Sequence, residues 1–434
     1  MENNLVKSNK SGSRALVGLL LTSFFVAGLL WGEIVFSFLK ERAEKEDPGE
    51  LVLKDDLPVE NQFGPIEKDL PPPEEDEDLN FFLEIAEFVL EKLEKKEKVR
   101  ENWPPAPPSM EKIKTKGCVT DGLLSGYGKE EKNLKMINRS ECEYLHRAIE
   151  TWLDAPDFDE IEDNMEELEK KDLIIGMFIA EAIDTKEDLY YPNEDRDFDF
   201  SKMCREKTKN YWGEHTCIPD LKKKEYQRYV LYITKRAMEM GVQSFTFGQI
   251  DHQDDLDDPQ IQKIINTMKI NASLLGIEIV VGAQTNSITD EKYLKFFDYI
   301  EGGTGLRPNG NIEDGACFSR WWKKPGDWCW ALLWHETYAA KANNVLIHLD
   351  WSGKPGDDMS TFARMSQEKR AQTLEKLYNY FTGQGHGFLL PFMTALPLNN
   401  GGCYGEKERY YSANKKYSCD DEGAINEILG KEEE

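Results

Sequence analysis

The sequence predicts an α/β protein whose main domain is a (β/α)8 TIM-like barrel, and three observations lead there. Short β-branched or aromatic runs alternate with stretches of helical periodicity, the pattern of a parallel sheet under helical cover. Seven such units fit within about 300 residues, which suits a barrel better than an open doubly wound sheet. The longest connections all follow strands, on the side where a barrel builds its active site.

Strands are expected at 173–180, 242–250, 277–283, 296–301, 344–350 and 387–393, with 118–124 weaker, so one strand is missing from the pattern. Between them Tyr226, Tyr229, Val230, Ile233, Ala237 and Met238 recur at helical spacing. Ile261, Ile264, Ile265 and Met268 do the same, as do Leu374, Leu377, Tyr378 and Phe381. Gly241 and Gly276 stand where two of these helices should stop. No strand is followed by G-x-G-x-x-G and no P-loop is present, so no dinucleotide or nucleoside triphosphate cofactor is expected.

The barrel is expected to fill 116–430, and what precedes it reads differently. Residues 1–14 form a short tail, and 15–39 is an apolar run long enough to cross a bilayer as one helix. Its length and the lack of a cleavage site favour an uncleaved signal-anchor over a signal peptide. Lysines and arginines are balanced on its two sides, so charge does not orient it. Residues 40–115 are rich in proline and acidic side chains, an extended stalk interrupted by one amphipathic helix at 79–97.

The cysteines settle the compartment. All eight lie beyond the apolar run as close pairs, Cys118/Cys142, Cys204/Cys217, Cys317/Cys329 and Cys403/Cys419. An even count behind a targeting segment implies disulfides outside the reducing cytosol. The expectation is a single-pass membrane protein with a cytoplasmic N-terminus and an extracytoplasmic barrel. Net charge is −27, which argues against a nucleic-acid partner and against docking on anionic lipid.

Carboxylates cluster where the expected strands end: Glu181 and Asp184, Asp251, Glu301 and Asp350. In 344–350 the residues Val345, Ile347 and Leu349 share one face, which leaves His348 and Asp350 to point into the barrel. By the same alternation Gln249 and Asp251 share a face, as do Tyr299 and Glu301, and Gln284 follows the strand at 277–283. Glu181 and Asp184 have opposite parity, and Glu181 is nearer its strand. The acidic stretch from Asp251 to Pro259 lacks EF-hand spacing, and Asp257 or Asp258 before Pro259 suits a helix start better than a calcium site. Six scattered histidines give no zinc pattern, so no metal is expected. Trp321, Trp322 and Trp351 are candidates for stacking against a sugar ring.

Strand-end carboxylates and loop tryptophans on an extracytoplasmic barrel resemble the TIM-barrel glycoside hydrolases, over roughly 118–398. The chain departs from the best-known pattern of that group, because no glutamate ends the strand at 387–393. The resemblance implies a membrane-anchored glycoside hydrolase acting on a polysaccharide or glycan. Glu301 by preference would be the proton donor, Asp350 or Asp251 the nucleophile or base, with Glu181 a further candidate. Gln249, Gln284, His348, Trp351, Trp321 and Trp322 would bind substrate. Two alternatives stay open: a glycan-binding or adhesion barrel without turnover, and a metal-dependent hydrolase.

Overall fold

The computed structural model describes residues 103–126, 131–286, 288–312, 334, 339–351, 357–396, 402–403 and 409–431. The expected membrane segment, the helix at 79–97, Trp321, Trp322 and the Cys317/Cys329 pair lie outside the described residues. Among the described residues no helix is long and apolar enough to cross a membrane.

One sheet dominates. Its strands are β1 (Gly117–Thr120), β2 (Tyr144–Glu150), β3 (Ile174–Ile179), β4 (Ser244–Phe247), β5 (Val280–Gln284), β6 (Tyr299–Gly303), β7 (Val345–His348), β8 (Gly387–Phe388), β9 (Leu390–Ala395) and β10 (Tyr410–Ser412). Their order is β8-β7-β6-β5-β4-β3-β2-β1-β9-β10, parallel throughout except for β10. Only Leu389 separates β8 from β9. Gly387 and Phe388 pair with Leu346 and Ile347 of β7, while Leu390 and Pro391 pair with Cys118 and Val119 of β1. The last parallel pass therefore touches both the seventh and the first strand. The sheet is curled and barrel-like, as the alternation of strand and helix predicts.

The strand missing from the sequence pattern is β2. Its sequence YLHRAIE sets three charged or polar side chains among the apolar ones, and its register against β3 shifts between Leu145 and Ile149. Arg147 sits there in the left-handed region, at φ 57°. Such an irregularity re-aims side chains, which hides the strand from a period-two search.

Helices cover the sheet: α1 (Met110–Thr115), α2 (Glu131–Asn138), α3 (Phe158–Glu166), α4 (Lys224–Glu239), a single turn α5 (Ile250–Gln253), α6 (Ile261–Leu275), α7 (Glu291–Leu294), α8 (Asp358–Ala363), α9 (Gln367–Thr382) and α10 (Glu422–Gly430). The three clearest sequence stripes become α4, α6 and α9. Gly276 closes α6 in the left-handed conformation, at φ 74°. The capping of α6 differs from the expectation at Asp257 or Asp258. Asp254 supplies it, accepting from the backbone N–H groups of Gln260 at 2.8 Å and Ile261 at 3.2 Å.

Two apolar layers follow from strand alternation. Val345, Ile347 and Leu349 pack outward with Leu374, Leu377 and Phe381 of α9. Inside the curl lie Val119, Tyr144, Ile174, Tyr299, Leu346 and Leu389, with Ile113 of α1 packed among them. Above that inner layer the strands carry polar residues. Three expected disulfides are formed, Cys118–Cys142, Cys204–Cys217 and Cys403–Cys419.

Candidate active site

Five consecutive strands each deliver one polar side chain at the C-terminal rim of the sheet. Glu181 follows β3, Gln249 follows β4, Gln284 ends β5, Glu301 lies in β6 and His348 ends β7. The side-chain amide of Gln249 donates to the Glu181 carboxyl, and its backbone N–H donates to Gln284 Oε1 at 3.3 Å. Gln284 stands opposite Glu301 in the β5–β6 register. His348 Nε2 lies 3.9 Å from Glu301 Oε1, and the Trp351 ring centroid lies 4.8 Å from that of His348.

β2 and the turn after β1 close this arc. The Arg147 guanidinium lies over the rings of Phe178, at 3.6 Å, and Trp351, at 4.5 Å. It pairs with Glu150 at 2.6 Å and with Asp121 at 3.4 Å. His146 Nε2 lies 2.7 Å from Glu301 Oε2. None of His146, Arg147, Glu150 or Asp121 was expected from the sequence. The signal was present in YLHRAIE, where polar residues interrupt an otherwise apolar strand.

Two positions explain how the chain reaches this arrangement. A Cβ at Gly248 would strike the Glu181 carboxyl and the Phe178 ring, so a glycine lets the backbone after β4 pass beneath Glu181. A Cβ at Gly282 would strike the Tyr299 ring, which fills the space under Glu301.

The two glutamates are tuned in opposite directions. Burial by itself would raise the pKa of Glu301, which is 0 % exposed. The field and hydrogen bond of His146, with His348 and Arg147 behind it, overcome that and hold Glu301 down at about 2. Glu181 is 2 % exposed, and burial raises its pKa despite bonds from its own backbone and from Gln249 and the pull of Arg147 and His252. Burial also keeps Glu150 well above the ordinary glutamate value, against the attraction of Arg147. His348 is pushed down to about 4, chiefly by burial, and is neutral at pH 7.

The strand ends carry the other expected residues differently. β4 stops at Phe247, Gln249 has φ 23°, and α5 begins at Ile250, so Gln249 and Asp251 do not share a strand face. The Asp251 carboxylate accepts from the Asn286 side-chain amide. Asp251 also lines a cavity of about 410 Å³ with Arg205, Asp220, Lys222, Asp254, Asp255 and Leu256. β7 likewise stops before Asp350, whose backbone N–H donates to Asp358 at 3.3 Å and whose carbonyl accepts from Met359 at 2.9 Å. Asp184 pairs through its backbone in a short antiparallel ladder with Thr216.

No family model and no curated protein matches this sequence. In structure the chain is similar to glycoside hydrolases of the TIM-barrel kind. They include a GH113 β-mannanase from Alicyclobacillus acidocaldarius, at 10% identity over 73% of this chain and 97% of that one, with a TM-score of 0.44. A GH113 β-1,4-mannanase matches at 13% identity over 73% and 99% of the two chains, with a TM-score of 0.43. An α-galactosidase from Thermus thermophilus matches at 13% identity over 76% and 63%, with a TM-score of 0.42.

Beside Glu181 lies an aromatic group that the sequence did not single out. The Trp212 indole N–H donates to the Glu181 backbone carbonyl at 3.4 Å. Trp152 and Tyr211 meet Trp212 edge to face, with centroids at 5.2 and 4.9 Å. Tyr211 is exposed. The Cys204–Cys217 disulfide brackets the segment that carries Tyr211 and Trp212. Among the described residues no group of His, Cys, Asp and Glu side chains is arranged to hold a metal ion.

Proposed function

We propose that this chain is a glycoside hydrolase using Glu181 as proton donor and Glu301 as the ionised carboxylate. The observation that carries the proposal is a pair of buried rim carboxyls in opposite surroundings, Glu301 beside His146 and Glu181 bonded to Gln249, with burial raising the pKa of Glu181 and His146 holding that of Glu301 down. Glycosidic bond cleavage needs that division: one carboxyl keeps a proton for the leaving oxygen while the other stays charged beside the developing oxocarbenium ion. These roles reverse the sequence expectation, which gave the proton to Glu301. Glu301 then acts as nucleophile or activates water, and this reading gives Asp251 and Asp350 no part in the acid–base pair.

The remaining rim residues fit a sugar. Gln249 and Gln284 offer amide donors and acceptors, and Trp351, Trp212 and Tyr211 offer apolar ring faces for the C–H face of a pyranose. The apolar segment at 15–39 and the disulfides support an anchored enzyme working outside the cytosol on an extracellular or surface glycan. A glycan-binding barrel without turnover is the second reading, and the full burial of Glu301 is the observation in its favour.

Screening the protein against a panel of polysaccharides, with Glu181→Gln and Glu301→Gln beside the wild type, separates the two. Hydrolysis by the wild type, lost in both variants while glycan binding persists, supports the enzyme. Binding without hydrolysis in the wild type supports the second reading.

A further inference from the structure

The geometry points to His146 as a positioning residue that holds Glu301 charged and oriented, with its own tautomer set by a buried chain of hydroxyl groups. This rests on the reading of Glu301 as the ionised carboxylate of a glycoside hydrolase.

The chain of hydroxyls runs across the inside of the sheet below the rim. Thr246 Oγ1 lies 2.7 Å from the Tyr299 hydroxyl, and Ser244 Oγ lies 3.0 Å from the same hydroxyl. Ser244 Oγ is also 3.0 Å from the Tyr144 hydroxyl, which is 2.8 Å from His146 Nδ1. All of these residues are buried, and burial first of all raises the pKa of both tyrosines, so each phenol keeps its proton. A neutral imidazole carries one N–H. With the Tyr144 proton directed at Nδ1, that N–H is fixed on Nε2, which faces Glu301 at 2.7 Å.

Among the described residues no other group replaces this contact. Among the described residues the titratable and charged groups facing Glu301 are Tyr144, His146 and Arg147 from β2, Tyr299 on its own strand and His348 from β7. His348 stands at 3.9 Å, beyond hydrogen-bond reach, and Arg147 is bonded to Glu150 at 2.6 Å. Such a partner, which touches another residue rather than substrate, acts through the group it orients.

The test uses His146→Leu, which removes the donor, His146→Gln, which restores a neutral N–H, and Tyr144→Phe, which keeps the ring and removes the tautomer-setting hydroxyl. Two readouts are followed: the carbon-13 titration of the Glu301 side-chain carboxyl, and the pH dependence of kcat and KM on the glycan identified by screening. In His146→Leu the Glu301 midpoint rises by one pH unit or more and the acid limb of kcat moves with it, kcat falling at least about ten-fold with little change in KM. His146→Gln recovers most of both, and Tyr144→Phe moves both the same way by a smaller amount. A midpoint unmoved in His146→Leu, or His146→Gln as impaired as His146→Leu, overturns the proposal. If His146→Leu does not fold, an unmoved midpoint in both His146→Gln and Tyr144→Phe overturns it. Absence of any hydrolysis by the wild type defeats the enzymatic reading alone, because the titration still judges His146.

Discussion

Two acidic regions of the molecule differ in what their carboxylates bond to. In the cavity below α6, the carboxylates complete local structure. Asp220 accepts from the Lys222 backbone N–H at 2.9 Å, Asp255 pairs with the Lys222 side chain at 2.7 Å, and Asp254 takes the first N–H groups of α6 and the Tyr293 hydroxyl at 2.9 Å. At the rim, Glu181, Glu150 and Glu301 are buried on or just after strands, and each keeps at least one carboxyl oxygen without a hydrogen-bond partner. Leaving a buried acceptor unpaired is unfavourable by about 1–3 kcal/mol, so the three rim carboxyls carry a cost that the bonded cavity carboxylates do not. In a chain with 81 acidic residues, counting carboxylates does not find a site. What each oxygen bonds to separates the two regions.

The largest expected effect tests the rim. Glu181→Gln and Glu301→Gln should each lower kcat by about 10²–10⁴-fold. On the proposed roles the wild-type profile should be bell-shaped, with Glu181 protonated and Glu301 charged. The acid limb follows Glu301, held down at about 2, and the alkaline limb follows Glu181, raised by burial above the ordinary glutamate value. In Glu181→Gln the residual activity should lose its alkaline limb, and in Glu301→Gln its acid limb. A limb that survives removal of its residue reassigns the role. The stability sign follows as well. A carboxyl whose folded pKa is depressed stabilises the fold above its unfolded value and stops doing so as pH falls toward about 2. Glu301→Gln should flatten that part of the curve of unfolding free energy against pH.

How much of this was legible in the sequence follows from the same contrast. Strand alternation placed His348 and Glu301 inside because β6 and β7 are regular enough for period two to hold. It failed at Gln249 and Asp251, because the chain leaves the strand at Gly248 and an alternation argument does not survive a turn. Gln249 still reaches the rim, through φ 23° and its bond to Glu181. β2 went unseen because the residues that give it a role, His146, Arg147 and Glu150, are the ones that spoil its apolar pattern. Local propensity and function conflict there, which is where sequence reading is expected to fail.

The next effect is on packing. Gly282→Ala should destabilise the fold by about 1–3 kcal/mol, because its Cβ enters the space of the Tyr299 ring. Tyr299 underlies Glu301, so the melting temperature and kcat should fall together. At the other region, Asp254→Ala should lower stability by about 1 kcal/mol through loss of the α6 cap while kcat stays within about two-fold. Loss of activity there matching that of a rim variant would erase the distinction between the two regions.

The smallest expected effect belongs to the residue on the border. Asp251 was a catalytic candidate from its position beside a strand end, and burial raises its pKa, partly offset by His252 and by the amide of Asn286. A raised pKa by itself fits a proton donor. The surroundings decide otherwise: its carboxylate is bonded to Asn286, and it lines the cavity with Asp220, Asp254 and Asp255. Asp251→Asn keeps the size and one acceptor oxygen of the side chain. It should change kcat by less than about three-fold and leave both limbs of the pH profile in place, far below the loss expected of a general acid. The melting temperature should move little. A loss of 100-fold or more with the alkaline limb removed would instead transfer the proton-donor role from Glu181 to Asp251 and extend the site from the rim into the cavity.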